Sequence, residues 1–265
     1  MRPGLLENKV AIVSGLGPGM GRDISLQFAQ EGAQVVLAAR RPKMMEKVAA
    51  EIREGGGQAL CVPTDITEND ACIALVGAAT SEFGGVDVLV NNAFHGGDYT
   101  PFMDGNLETW RETMDTNFFG TMQLTKAAVP AMKARGGGHI VMVNTMSVQR
   151  AQDGYGAYAA SKGALAMATK TLALELGRDG IRVNAIHPGY IWGSSVEWYF
   201  GELAKQRGIT PQAVYDEIAG ETALKYLPHS SEIAGAVLFY ASDLSRCVTG
   251  TALPVNGGHF FNAAL

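Results

Sequence analysis

Short β-branched runs alternate with longer amphipathic stretches along the whole chain. The apolar runs VAIV (10–13), VVLA (35–38), ALCV (59–62), VLV (88–90), HIVMV (139–143), VNAI (183–186) and TALPV (251–255) predict seven strands. Several are apolar at every position, as strands of a parallel sheet covered on both faces must be. Between them, apolar residues recur at helical spacing: Ile24, Phe28 and Ala29, then Met45, Val48, Ala49 and Ile52, then Ile73, Val76, Ala79 and Phe83. Thr67 and Asp70 read as a capping-box-like start for the third of these helices. The glycines at 55–57 and 136–138 close two helices before strands. Repeated β-α units of this kind predict an α/β class chain, a single domain over residues 1–265 whose doubly wound sheet carries helices on both faces.

The rhythm breaks between about 190 and 228, where Trp192, Trp198, Tyr199, Phe200 and Tyr226 are concentrated. That stretch reads as an insertion shaped into a substrate loop or lid. Ordinary core or an interface is the competing account of its aromatic residues.

Bulk properties narrow the function classes. With 265 residues, 47% of them apolar, the chain can bury a sizeable core. A formal net charge of −5 offers no basic field for nucleic acid or an anionic membrane surface, so a small-molecule partner is expected. No apolar run approaches a membrane-spanning length. Cys61, Cys72 and Cys247 are odd in number and form no C-x-x-C pair, which fits reduced thiols in a cytoplasmic protein. None of the five histidines lies in H-E-x-x-H or near a second candidate ligand, so no metal is expected.

The segment VSGLGPGMGR follows the first strand and opens the first helix, placing glycines at Gly15, Gly17, Gly19 and Gly21. Glycines there let the chain turn sharply and bring backbone N–H groups to a pyrophosphate at the positive end of the helix. The spacing departs from G-x-G-x-x-G because Met20 stands where that pattern has glycine, and Pro18 shapes the turn without donating a hydrogen bond. After the second strand the chain reads Ala39-Arg40-Arg41. A carboxylate at that point would bind the adenosine ribose of NAD, whereas arginine suits the additional phosphate of NADP. The pair predicts NADP, with NAD as the alternative; two solvated charges opening a helix are the bland account.

These features, together with Asn91-Asn92-Ala93-Phe94, Asn117 in TNFFG, Tyr158 and Lys162 in YGAYAASK, and Pro188-Gly189, resemble the short-chain dehydrogenase/reductase family from about residue 8 onward, in its 3-oxoacyl-ACP reductase-like branch. The resemblance implies a Rossmann-type fold and an NAD(P)-dependent oxidoreductase that interconverts a secondary alcohol and a ketone. It implies catalytic roles for Asn117, Thr145, Tyr158 and Lys162. Thr145 stands thirteen residues before the tyrosine, where the family has its catalytic hydroxyl, with Ser147 as the understudy. The coenzyme is expected against Gly15, Gly17, Gly19, Met20, Gly21, Arg40, Arg41, Asp65, Ile66, Asn92, Ala93, Pro188, Gly189 and Ile191, besides Tyr158 and Lys162. Asp65 is equally well accounted for as a turn residue. By the same resemblance Asn117 would hold a water linking Lys162 to solvent, Lys162 would grip the nicotinamide ribose, and the chain would form a homotetramer through its alanine-rich helix.

On a helix, positions i and i+4 share a face, so Lys162 can stand near the Tyr158 hydroxyl. Bringing a phenol from a pKa of about 10 to about 7 takes roughly 4 kcal/mol, which one unit charge at about 4 Å supplies at an effective dielectric near 20. The expectation is therefore a phenol lowered by its lysine. Three departures stand out: Phe94 where the family has glycine, no threonine shortly after Pro188-Gly189, and Asn256 where aspartate is common. The aromatic loop favours a bulky, hydrophobic carbonyl substrate. A catalytically quiet dinucleotide-binding sensor or scaffold is the competing function, with Thr145 and Phe94 as its support.

Overall fold

The computed structural model describes residues 3–259. All seven expected strands form: β1 (Val10–Ser14), β2 (Gln34–Ala39), β3 (Gln58–Pro63), β4 (Val88–Asn91), β5 (Gly138–Val143), β6 (Ile181–Pro188) and β7 (Ala252–Val255). They make one wholly parallel sheet in the order β3-β2-β1-β4-β5-β6-β7. Nine α-helices accompany it among the described residues: α1 (Met20–Gln30), α2 (Pro42–Glu54), α3 (Asn69–Phe83), α4 (Leu107–Met114), α5 (Thr121–Ala134), α6 (Gly156–Leu176), α7 (Ser194–Arg207), α8 (Pro211–Glu221) and α9 (Ser230–Ala241).

The period-2 geometry of β1 shows how one apolar run serves two cores. Ala11 and Val13 point into the layer formed with α1, α2 and α9, whereas Val10 and Ile12 point into the layer formed with α3, α5 and α6. Strand order reverses between β1 and β4, which opens a crevice at their carboxyl ends, the place where open α/β sheets bind ligands.

Two local expectations fail. Ile73 is 55% exposed, and α3 instead buries Cys72, Leu75, Val76 and Ala79. The helix is apolar on nearly all sides, so spacing alone did not select the buried stripe. Thr67 and Asp70 form no capping box. The Thr67 amide and hydroxyl both donate to Asp65 Oδ1, at 3.0 and 2.7 Å, and the helix starts only at Asn69 behind Glu68.

Residues 190–228 fold as a helical pair with a small core of its own. Phe200 and Ala204 of α7 meet Val214 and Ala219 of α8 and Leu227, flanked by Tyr190 and Trp192. The aromatic residues divide accordingly: Trp192 packs on Phe200 and Tyr215 at ring separations of 5.9 and 4.6 Å, while Trp198 stays exposed.

Candidate active site

The glycine turn leaves β1 beside the end of β4. Gly15 adopts φ +79°, and a Cβ there would lie 2.3 Å from the backbone of Ala93. A Cβ on Gly21 would lie 2.6 Å from the Gly15 carbonyl. These two glycines serve close backbone packing. Gly17 has nothing within 4 Å of its notional Cβ, and Gly19 only Ser230 Oγ at 3.9 Å. Their open side, together with the first amides of α1, which no side chain caps, is a cradle that any side chain would fill. It fits a pyrophosphate. Asn92 stiffens the turn by donating to the Gly15 carbonyl at 2.6 Å. Asn91 turns inward, donating to Thr125 at 3.1 Å.

Arg40 and Arg41 are exposed where β2 ends. Asp65 sits close enough for Arg40 to act on it: burial opposes the Asp65 charge, but the hydrogen bonds from Thr67 and the Arg40 guanidinium outweigh it and hold the carboxyl below its usual range. Ile66 is buried and lies against Gly120, where an added Cβ would come within 2.9 Å of its side chain. Pro188 ends β6, and Gly189 is pressed against Asn256 and Met146 so closely that a Cβ would lie 2.8 Å from Asn256 Cβ. Ile191 packs at the edge of the α1, α2 and α9 layer, which also takes in part of Met20.

Asn117 lies in a π-helical turn, Asp115–Gly120, that joins α4 to α5. The extra residue in that turn carries its side chain into the interior. There it accepts from the His95 amide at 2.7 Å and donates to the His95 carbonyl and to Ser161 Oγ, both at 2.9 Å. Ser161 in turn donates to the Tyr158 carbonyl at 2.7 Å. The side chain of Asn117 thus ties the loop after β4 to the start of α6.

Tyr158 and Lys162 stand one turn apart on α6. The Tyr158 hydroxyl is hydrogen-bonded to Thr145, and the Phe94 ring meets the Tyr158 ring edge-on at 6.4 Å. Lys162 Nζ lies 5.9 Å from the Tyr158 ring centroid and donates to the Val143 carbonyl at 2.8 Å. The expected lowering of the phenol is not what the surroundings produce. Burial, aided by Tyr99, pushes Tyr158 above the usual tyrosine value, and the Thr145 hydrogen bond only partly opposes it. Burial also brings the Lys162 ammonium down to about 7. Desolvation outweighs pairing because the amine is as deeply buried as the phenol, so its charge is itself costly.

Several residues near the site carried no sequence signal. Asn144 donates to the Lys162 carbonyl at 3.1 Å, fixing α6 on the end of β5. His187 is buried with neither ring nitrogen paired, and burial followed by the nearby Lys162 charge lowers it to about 4. Gln152, Tyr155 and Tyr190 extend along one wall from Thr145 and from Ser147, the understudy that the sequence did mark. They come together through the bend after β5 and the turn after β6, which no local spacing reveals.

Residues 15–259 match the family described as enoyl-(acyl carrier protein) reductase. The chain belongs to the short-chain dehydrogenase/reductase family. It is 34% identical over 253 residues to the 7alpha-hydroxysteroid dehydrogenase of Escherichia coli (strain K12), covering 96% of this chain and 94% of the relative. Among solved structures it resembles L-sorbose reductase from Gluconobacter frateurii complexed with NADPH and L-sorbose, with TM-score 0.90, 32% identity and coverage of 97% and 98%. It also resembles NAD+-bound xylitol dehydrogenase, with TM-score 0.89, 30% identity and coverage of 96% and 99%. These relatives are named dehydrogenases and reductases, which supports an NAD(P)-dependent oxidoreductase acting between an alcohol and a ketone and tells against a quiet dinucleotide sensor.

Proposed function

We propose that this short-chain dehydrogenase/reductase uses NADP in preference to NAD to interconvert a hydrophobic secondary alcohol and its ketone, with Tyr158 as the general acid and base. The observation that carries the reading is the meeting of Tyr158, Thr145 and Lys162 at the carboxyl end of the sheet, on the same rim as the open glycine cradle. Gly17, Gly19 and the first amides of α1 would hold the pyrophosphate, and Arg40 and Arg41 the additional phosphate of NADP. The coenzyme, when bound, supplies or accepts the hydride.

The chain's own groups do the rest. In reduction Tyr158 Oη gives its proton to the carbonyl oxygen as negative charge develops there, and Thr145 donates a hydrogen bond to the same oxygen. A phenol kept protonated by burial suits that direction. Lys162, poised about neutrality beneath the ring, can change its own charge as the phenol changes its protonation. The rings of Phe94, Tyr99 and Tyr155, with the helical pair α7 and α8 as a lid, would surround an apolar carbon skeleton.

The exposed Met167 and Leu174 on α6 support a helix-to-helix contact between subunits and the tetramer expected of the family. No described helix is long and apolar enough to cross a membrane, and a cytoplasmic setting accords with three free thiols. The test is coenzyme oxidation against a panel of ketones, alongside calorimetric titration of NADPH and NADH. Turnover with tighter NADPH binding is expected; binding without turnover on any ketone overturns the enzymatic reading.

A further inference from the structure

A hydrogen-bonded chain runs away from the catalytic hydroxyl along the wall of the site. Thr145 Oγ1 donates to Ser147 Oγ at 3.3 Å, and Ser147 Oγ donates to Gln152 Oε1 at 3.3 Å. Gln152 is hydrogen-bonded to the Tyr190 hydroxyl, and that hydroxyl meets Tyr155. Both hydroxyl-to-oxygen separations are well beyond the common length of about 2.7–2.8 Å for such bonds. They are slack, and a ligand oxygen could take them over.

The spacing has a chemical counterpart. Two oxygens on neighbouring carbons lie about a hydrogen bond's length apart, close to the 3.3 Å between Thr145 Oγ1 and Ser147 Oγ. A substrate oxygen held by Tyr158 and Thr145 would therefore bring an oxygen on the next carbon beside Ser147 and Gln152. This pair offers a hydroxyl that can donate or accept and an amide oxygen that can accept, so it can serve either a carbonyl or a hydroxyl there. Ser147 is buried and Gln152 and Tyr190 are half-buried, which excludes much of the competing water. The polar groups joined in this wall carry no formal charge, which points to a neutral partner.

Resting on the function proposed above, we infer that Ser147 and Gln152 form a second oxygen-binding position that selects substrates bearing a hydroxyl or carbonyl on the carbon adjacent to the reacting one, that is, vicinal diols and α-hydroxy ketones. In oxidation Tyr158 first releases its own proton toward solvent, and the reacting carbon then loses a hydride to the coenzyme while its hydroxyl passes its proton to the Tyr158 phenolate. The second oxygen keeps its bonds and oxidation state; it orients the molecule. Ser147 and Gln152 are accordingly specificity residues and take no part in the proton transfer.

The experiment compares initial rates of NADP+ reduction on two matched pairs, cyclohexanol with cyclohexane-1,2-diol and 2-butanol with 2,3-butanediol. The wild-type enzyme is expected to favour the diol of each pair by about tenfold in kcat/KM, the value of one well-placed hydrogen bond of about 1.4 kcal/mol. In Ser147→Ala and Gln152→Leu that ratio falls toward one, and Gln152→Asn restores part of it. Gln152→Glu, close in size, checks that a lost preference does not come from misfolding, since circular dichroism and NADPH binding should match the wild type. A wild-type ratio near one, or variants that slow both members of a pair equally, overturns the inference and leaves Ser147 and Gln152 as props for Thr145. Failure of the underlying reading looks different: the wild type binds NADPH yet oxidises no member of either pair, and the inference falls with it.

Discussion

Lys162 Nζ stands 5.9 Å from the centroid of the Tyr158 ring, and its hydrogen bond goes to the Val143 carbonyl at 2.8 Å. The amine is therefore anchored to the strand beneath the phenol, while the phenol's own polar contact is Thr145. Tyr158→Phe removes the hydroxyl proposed to exchange a proton with substrate and preserves the ring contact with Phe94. It should lower kcat by about a hundredfold to ten-thousandfold, the usual worth of a positioned acid or base. Coenzyme affinity, measured by titration, should fall far less. A variant with kcat within threefold of wild type would remove Tyr158 from the chemistry.

The depth of Lys162 makes stability depend on pH. Its ammonium falls to about 7 in the fold, against about 10.4 in an unfolded chain. Between those values the unfolded chain holds a proton that the folded chain has released, so stability rises with pH across the window and the burial cost is greatest below it. Lys162→Met abolishes this dependence. The wild-type unfolding free energy minus that of the variant, from urea melts at about pH 6, 8 and 9.5, should climb with pH. A flat difference would mean that the amine keeps its proton in the fold.

The proposed preference for NADP would rest on a surface pair. Arg40 and Arg41 are both exposed, and Arg40 acts electrostatically on Asp65. Arg40→Ala should weaken NADPH binding by about tenfold to a hundredfold while changing NADH binding by less than about threefold, because only the former carries the additional phosphate. Raising ionic strength should erode the NADPH advantage of the wild type more than that of the variant. Equal losses for both coenzymes would assign Arg40 a structural role.

The sheet was legible because its inner strands β1, β4 and β6 are buried along their whole length, so that runs such as VAIV are apolar on both faces. The edge strands β3 and β7, which are partly exposed, were marked by their β-branched and apolar runs alone. Tyr158, Lys162 and the glycine turn were legible because their spacing is local. What escaped depends on contacts distant in sequence or on backbone irregularity. Ile73 could not be separated from Leu75 on an almost uniformly apolar helix. Nothing local marked Asn117 as lying in a π-helical turn, since that turn breaks the 3.6-residue period by a single residue. The direction of the Tyr158 shift escaped because a sequence shows which charge is near and hides how deeply both groups are buried. His187 and Gln152 came beside the candidate site only once the ends of β5 and β6 were brought together.

The glycine turn separates two roles that its sequence presents as one. At Gly15 a Cβ would meet the Ala93 backbone at 2.3 Å, and φ is +79°. Neither obstacle yields to a rotamer change, because the colliding atoms are main chain. Gly15→Ala should therefore cost about 1–3 kcal/mol or more in unfolding free energy through strain and overpacking. Gly17 has open space on every side of its notional Cβ and no positive φ. Gly17→Ala should leave the urea midpoint almost unchanged, yet its methyl group would enter the cradle and raise the NADPH dissociation constant about tenfold. Measuring both quantities for both variants decides the matter: a Gly17→Ala protein that binds coenzyme as tightly as wild type would mean that the pyrophosphate lies elsewhere on the rim.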